Sequence, residues 1–175
     1  MKTNQVALRK YRVGDDKYLR DLDSDPEVMK YLTNGTPSDD KEIARANGVM
    51  LEWNNKFESK YGYWLAFENE SNDFVGWFHL RPLKDHPDDI ENLELGYRLK
   101  KLYWGRGIAS EVSHKFIDLA RSYSDCRNIW ACAMAVNTGS RKVMEKVGLK
   151  FDRDDTYQPY PTEDKHCVWY KLALK

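Results

Sequence analysis

The segment Trp104-Gly105-Arg106-Gly107-Ile108-Ala109 is where this sequence gathers residue types suited to chemistry. Its two glycines precede an apolar-periodic run, Val112, Phe116, Ile117, Leu119 and Ala120, which reads as an amphipathic helix to about Tyr123. A helix start exposes unpaired backbone N–H groups and a partial positive charge, and glycine lets an anion approach that backbone closely. The segment therefore reads as an anion site, although the two glycines alone also fit a tight turn. Two rival phosphate motifs do not fit: a Walker loop needs a Gly-Lys-Ser/Thr ending, and a dinucleotide fingerprint needs its third glycine where Ser110 stands.

Other reactive residues are scattered. Cys126, Cys132 and Cys167 are odd in number, lack C-x-x-C spacing and have no histidine at a catalytic spacing. That pattern argues against an acyl-carrying thiol, a zinc site and a disulfide framework. His79, His86 and His114 read as isolated histidines, so no metal is expected.

The elements that must hold the glycine turn mix strands and helices. Val6, Leu8 and Arg9-Lys10-Tyr11 read as a first strand, and Gly14-Asp15-Asp16 supplies a turn and a cap for a helix over 17–23. Asp25-Pro26 opens a second helix, and Pro37-Ser38-Asp39-Asp40 caps a longer one through Ile43, Ala46, Met50 and Trp53. Residues 61–67 and 74–80 flank a polar turn as a hairpin. Leu93, Leu95, Tyr97 and Leu99 alternate with polar neighbours as a half-buried strand leading into the turn. Residues 128–136 read as a further strand, Asn137 caps a helix that Gly148 stops, and residues 151–157 and 166–174 read as the last two strands. The order predicts an α/β (α+β) fold: a mixed, mostly antiparallel sheet of about seven strands with helices on both faces, as one domain over 1–175.

Composition narrows the partners. The chain has 175 residues, 41% of them apolar, which is enough to fill one core. Lysine plus arginine and aspartate plus glutamate number 28 each, so no net field draws the chain toward nucleic acid or an anionic membrane. Residues 1–10 are polar where a signal peptide has its apolar core, and no apolar run reaches membrane-spanning length. A cytoplasmic protein with neither nucleic-acid nor membrane partner is expected, and its aromatics are compatible with a homodimer.

Three segments now fall in order: Glu94-Leu95-Gly96-Tyr97-Arg98-Leu99, the turn from Tyr103 to Ala109, and Asn137-Thr138-Gly139-Ser140. Together they resemble a GNAT N-acetyltransferase of the branch that includes ribosomal-protein alanine and spermidine acetyltransferases. Asp25-Pro26-Glu27-Val28-Met29 resembles the N-terminal half of that branch, so the resemblance covers nearly the whole chain. It implies acetyl-coenzyme A as donor, a primary amine as acceptor, and direct attack in a ternary complex. The family's Q/R-x-x-G-x-G/A signature falls on Trp104, Gly107 and Ala109, so the first position departs from Gln or Arg. By this resemblance Gly105, Arg106 and Ile108 complete a pyrophosphate cradle made mainly of backbone N–H groups, with Arg106 adding charge. Tyr97, Arg98 and Leu99 match positions whose backbone pairs with the pantetheine arm while their side chains pack. Asn137 matches an asparagine that meets that arm, and it is equally a plain helix cap. Ser140 matches a serine that contacts the thiol sulfur, or is simply a first-turn residue.

The resemblance also implies where protons move. An alkylamine of pKa about 10.4 must lose a proton before attacking at pH 7, which costs roughly 4 to 5 kcal/mol. Glu94 stands where the family often places a carboxylate facing the acceptor, so it is the candidate base; a solvent-facing strand glutamate is the plain alternative, and Glu91 is in reserve. Many GNAT enzymes carry a thiolate-protonating tyrosine seven residues after the asparagine, where this chain has Met144. Ser140, Tyr157, Tyr160 or water stand as substitutes, and a non-catalytic acyl-coenzyme A sensor is the alternative function. In this fold the acceptor site draws on residues 30–53 and 157–165. Asp152, Asp154, Asp155, Glu163 and Asp164 would favour a cationic acceptor such as a polyamine, whereas a peptide N-terminus, with a pKa near 7.7 to 8.0, asks less of the base.

Overall fold

The computed structural model describes residues 1–57, 60–156 and 166–174. In chain order its elements are β1 (Val6–Lys10), α1 (Asp16–Asp23), α2 (Pro26–Thr33), α3 (Asp40–Lys56), β2 (Gly62–Glu68), β3 (Phe74–Pro82) and β4 (Asn92–Leu99). A short 3-10 turn, Lys101–Tyr103, leads to α4 (Ile108–Arg121), β5 (Asn128–Met134), α5 (Thr138–Lys146), β6 (Lys150–Thr156) and β7 (His166–Ala173). The seven strands form one sheet in the order β1-β2-β3-β4-β5-β7-β6. β1–β2, β5–β7 and β6–β7 are antiparallel, whereas β4–β5 is parallel. This is the expected mixed α/β class. By contact density the chain divides into two compact units, Met1–His79 with Tyr97–Ile108, and Leu80–Gly96 with Ala109–Lys175.

In the first unit two helices start on side-chain caps, as their sequences predict. Asp25 accepts the Glu27 N–H at 2.9 Å at the start of α2, and Asp39 accepts the Glu42 N–H at 2.8 Å at the start of α3. Asp15 departs from its expected capping role and makes no side-chain cap bond to α1. Its carboxylate instead receives both terminal nitrogens of Arg9, at 2.6 and 2.8 Å, and the Arg12 N–H at 2.9 Å. A bidentate, charge-assisted pair at a buried site outcompetes a single cap bond. Leu19, Leu22, Ile43, Met50 and Leu65 form the centre of a buried cluster, each such side chain contributing roughly 1.5–3 kcal/mol. Asn54 ties α3 to the strands. It donates to the carbonyls of Tyr11 at 2.7 Å and Tyr63 at 3.2 Å, and accepts the Tyr63 N–H at 2.7 Å.

In the second unit Val112, Phe116, Ile117 and Ala120 are buried, as their helical spacing predicts for α4. Strand β5 ends at Met134 rather than at the predicted residue 136. The Asn137 N–H turns back to the Met134 carbonyl at 2.8 Å and starts the descent into α5. β6 lies at the sheet edge with every residue exposed, and its alternating Lys150, Asp152, Arg153, Asp154 and Asp155 give that edge charges of both signs. The predicted extension of β6 to Tyr157 lies outside the described residues.

Candidate active site

The glycine turn closes off the first unit. Gly105 and Gly107 have φ of +74° and +81°, and a Cβ on either would meet no atom within 4 Å. Glycine is needed here for backbone shape rather than for lack of room, and this left-handed conformation lets successive N–H groups converge on an anion. Ile108, 1% exposed, fixes the first residue of α4 by burial, so the N–H groups that follow are the unpaired ones of a helix start. The donor set thus fits a pyrophosphate.

Trp104 is 44% exposed, yet its indole N–H donates to the carbonyl of Leu99 at 2.9 Å. This bond ties the turn to the end of β4. Arg106 is paired with Glu68, and the guanidinium and the Ser71 hydroxyl hold the Glu68 carboxyl below its ordinary range. The charge expected of Arg106 is therefore shared with a carboxylate of the protein.

Along Tyr97–Leu99 the side chains do more than alternate. Tyr97 packs on Phe78 with ring centroids 5.6 Å apart, and Leu99 is buried. The Arg98 guanidinium pairs with the buried Asp23 carboxylate at 2.5 Å and lies 5.3 Å from the Trp77 ring centroid. Asp23 also accepts from the Ser38 hydroxyl at 3.2 Å. Tyr97 and Leu99 pack as their alternation predicts, whereas Arg98 adds an ion pair to a buried aspartate. Gly76 on β3 lets β4 come close, because a Cβ there would sit 2.2 Å from the Arg98 carbonyl oxygen.

In the second unit β4 pairs with β5 through Asn92↔Asn128, Leu93↔Ile129 and Glu94↔Trp130, and among the described residues the register goes no further. Glu94 is thus the last residue of β4 in that ladder. Its carboxylate is held by Arg81 at 3.1 Å, with side-chain exposures of 17% and 8%. The plain reading of Glu94 as a solvent-facing strand residue does not describe this environment. Arg81 also donates to the Pro82 carbonyl at 2.8 Å. The reserve candidate Glu91 precedes β4 and pairs at the surface with Arg127 at 3.1 Å.

Asn137 is the cap of α5, its Oδ1 accepting the Ser140 N–H at 3.0 Å, so its capping function is realised. Ala109 and Ser140 are half-buried in the same unit. Met144 is 5% exposed and packs in the core, so no acid stands there. Tyr157 and Tyr160 lie outside the described residues, as do Glu163 and Asp164. Asp152, Asp154 and Asp155 are already engaged with Arg153, His166 and Trp169.

The structure therefore gathers Tyr97, Arg98, Leu99 and residues 104–108 in one unit, and Glu94, Ala109, Asn137 and Ser140 in the other. Sequence reasoning missed Arg81 and Asp23. An arginine directly after the largely apolar run 74–80 was the available sign of a buried pair. Burial, with its neighbour Cys167, pushes the Cys132 thiol far above the ordinary thiol range, and burial raises Cys167 as well. Neither supplies a thiolate near neutral pH. Among the described residues no cluster of three metal-ligating side chains occurs, and no helix is long and apolar enough to cross a membrane.

Comparison with known proteins places this geometry. A family model described as an acetyltransferase (GNAT) domain matches residues 5–150. The chain is 28% identical over 161 residues to the FsC-acetyl coenzyme A-N(2)-transacetylase of Aspergillus fumigatus, covering 87% of this chain and 66% of that one. It therefore spans just under two thirds of that relative's length. It is 30% identical over 160 residues to the uncharacterized N-acetyltransferase p20 of Bacillus licheniformis, covering 90% of this chain and 85% of the relative. In fold it is similar to a GNAT-family acetyltransferase from Bacillus anthracis, with a TM-score of 0.78, 21% identity, and coverage of 99% and 97% of the two chains. With the turn and the interrupted strand ladder in view, these matches mean that the chain belongs to the GNAT acetyltransferase family and is an acetyl-coenzyme A-dependent acyltransferase.

Proposed function

We propose that this chain transfers the acetyl group of acetyl-coenzyme A to a primary amine, with Glu94 as the base. The observation that carries the reading is the position of Glu94: an inward carboxylate, fixed by Arg81, at the residue where β4 leaves the β5 ladder. A strand edge that has left its ladder keeps backbone N–H and C=O groups that an extended substrate arm can pair with. In this reading Tyr97 and Leu99 offer those groups to the pantetheine arm, while the Arg98 carbonyl faces Gly76 of β3. Trp104, Gly105, Arg106, Gly107, Ile108 and Ala109 receive the pyrophosphate on their backbone.

Arg81 fixes the Glu94 carboxylate in position where β4 leaves the β5 ladder. Glu94 takes the proton of the incoming ammonium, directly or through water, and the neutral amine attacks the thioester carbonyl. The Asn137 amide steadies the arm and Ser140 lies toward the leaving sulfur, whose proton comes from Ser140 or water because Met144 has none to give. An amine acceptor agrees with the N-acetyltransferase names of the two relatives. The three free cysteines support a reducing, cytoplasmic setting.

The test is thiol release from acetyl-coenzyme A over a panel of polyamines, peptide N-termini and other small amines. Glu94→Gln is expected to keep donor affinity and to lower turnover by about 100-fold at neutral pH, with partial recovery at high pH. Equal activity of wild type and variant across pH removes Glu94 from the role. Tight donor binding with no thiol release over any amine would establish the sensor reading instead.

A further inference from the structure

Lys10, the last residue of β1, has a setting the transfer chemistry does not use. Its Nζ donates to the Tyr61 carbonyl at 2.5 Å and lies 3.4 Å from the centroid of the Trp64 ring. The residue is half-buried, and among the described residues no carboxylate reaches it. The charged groups nearby do not compensate. Arg9, next in the strand, is locked on Asp15, and Lys60 lies 5.1 Å over the Tyr61 ring. A π-face and one carbonyl replace little of the hydration that an ammonium loses on burial. The neutral amine is therefore far more populated here than on an exposed lysine.

We infer that the Lys10 amine is an acetylation site of this protein, taking an acetyl group directly from acetyl-coenzyme A and thereby stabilising the fold. The Nζ lone pair attacks the thioester carbonyl carbon, a C–N bond forms, and the C–S bond breaks. The sulfur leaves as a thiolate and the nitrogen loses one proton to it through water. The product is a neutral amide. Its remaining N–H still donates to the Tyr61 carbonyl, so the modification keeps the one hydrogen bond and removes the buried charge.

Burial lowers the amine of Lys10 to about 7. An ordinary lysine near 10.4 is neutral in only about one molecule in two thousand at pH 7, so the reactive fraction here is larger by roughly three orders of magnitude. The same shift fixes the sign of its effect on stability. Between pH 7 and about 10 the unfolded chain holds a proton on Lys10 that the folded chain has released, so stability rises with pH in that window. Below pH 7 the burial cost is felt in full.

This inference does not rest on the roles proposed for Glu94 or Ser140. The experiment is incubation of the full chain with acetyl-coenzyme A at pH 7.0, cleavage beside acidic residues, and mass-spectrometric occupancy at each lysine. Lys10 is expected to label at least about tenfold faster than the exposed lysines. Labelling no faster than theirs overturns the proposal. A second measurement follows stability: Lys10→Gln, a neutral side-chain amide, is expected to raise Tm by about 4 °C or more at pH 6, with the gain fading toward pH 10. Lys10→Arg, which keeps the charge, is expected to bring no gain. A Gln variant no more stable than wild type at pH 6 overturns the stabilising half of the inference.

Discussion

At the scale of single residues, two arginines hold carboxylates that have lost most of their exposure, one pair in each unit. Arg98 holds Asp23, and Arg81 holds Glu94. Removing one member of such a pair leaves the other charge buried and uncompensated. Arg98→Met is accordingly expected to destabilise the protein by about 3–5 kcal/mol in denaturant unfolding, and adding Asp23→Asn should recover a large part of that loss. A double variant as unstable as the single one would show that the side chain's packing against Trp77 matters more than its charge. Glu94 was legible as a candidate because it lies on the strand leading into the glycine turn, where the resembled family often places a carboxylate. Arg81 and Asp23 were not, because their importance comes from partners that only the folded chain brings near. Lys10 was equally silent in sequence, where it is one cation in a polar segment rather than an amine held over an indole ring.

At the scale of elements, the strands and helix starts were legible in the sequence, and their boundaries less so. Alternation in Leu93, Leu95, Tyr97 and Leu99 made β4 visible, and the caps at Asp25, Asp39 and Asn137 are all realised. What periodicity does not carry is where pairing stops. The β4–β5 register ends at Glu94↔Trp130 although both strands run on, and no residue pattern announces that. Asp15 shows the same limit, since a cap position in sequence becomes an anchor for Arg9 in the fold. The turn itself makes a sharp prediction. Because a Cβ at Gly107 meets open space, Gly107→Ala should leave the fold intact while straining φ by about 1–2 kcal/mol. The expected result is an unchanged far-ultraviolet circular dichroism spectrum and acetyl-coenzyme A affinity weakened roughly tenfold. Unchanged affinity would mean that the donor does not use this backbone.

At the scale of the whole molecule, each compact unit is assembled from two stretches of chain, with crossings at 79/80, 96/97 and 108/109. Residues expected from the family resemblance fall in both units, so no single contiguous segment carries them all. The even balance of 28 basic and 28 acidic residues gives the molecule no overall field, so recognition of an anionic donor falls to local backbone groups. The exposed Trp104, with its indole N–H on the Leu99 carbonyl, adds an optical consequence. The chain has six tryptophans, but this one belongs to the turn itself. Titration with acetyl-coenzyme A should change its intrinsic fluorescence, and Trp104→Phe should lose most of that change; an equal response in the variant would assign the signal to another indole. The turn thus carries its own fluorophore, and donor occupancy becomes readable by light without a label or an acceptor.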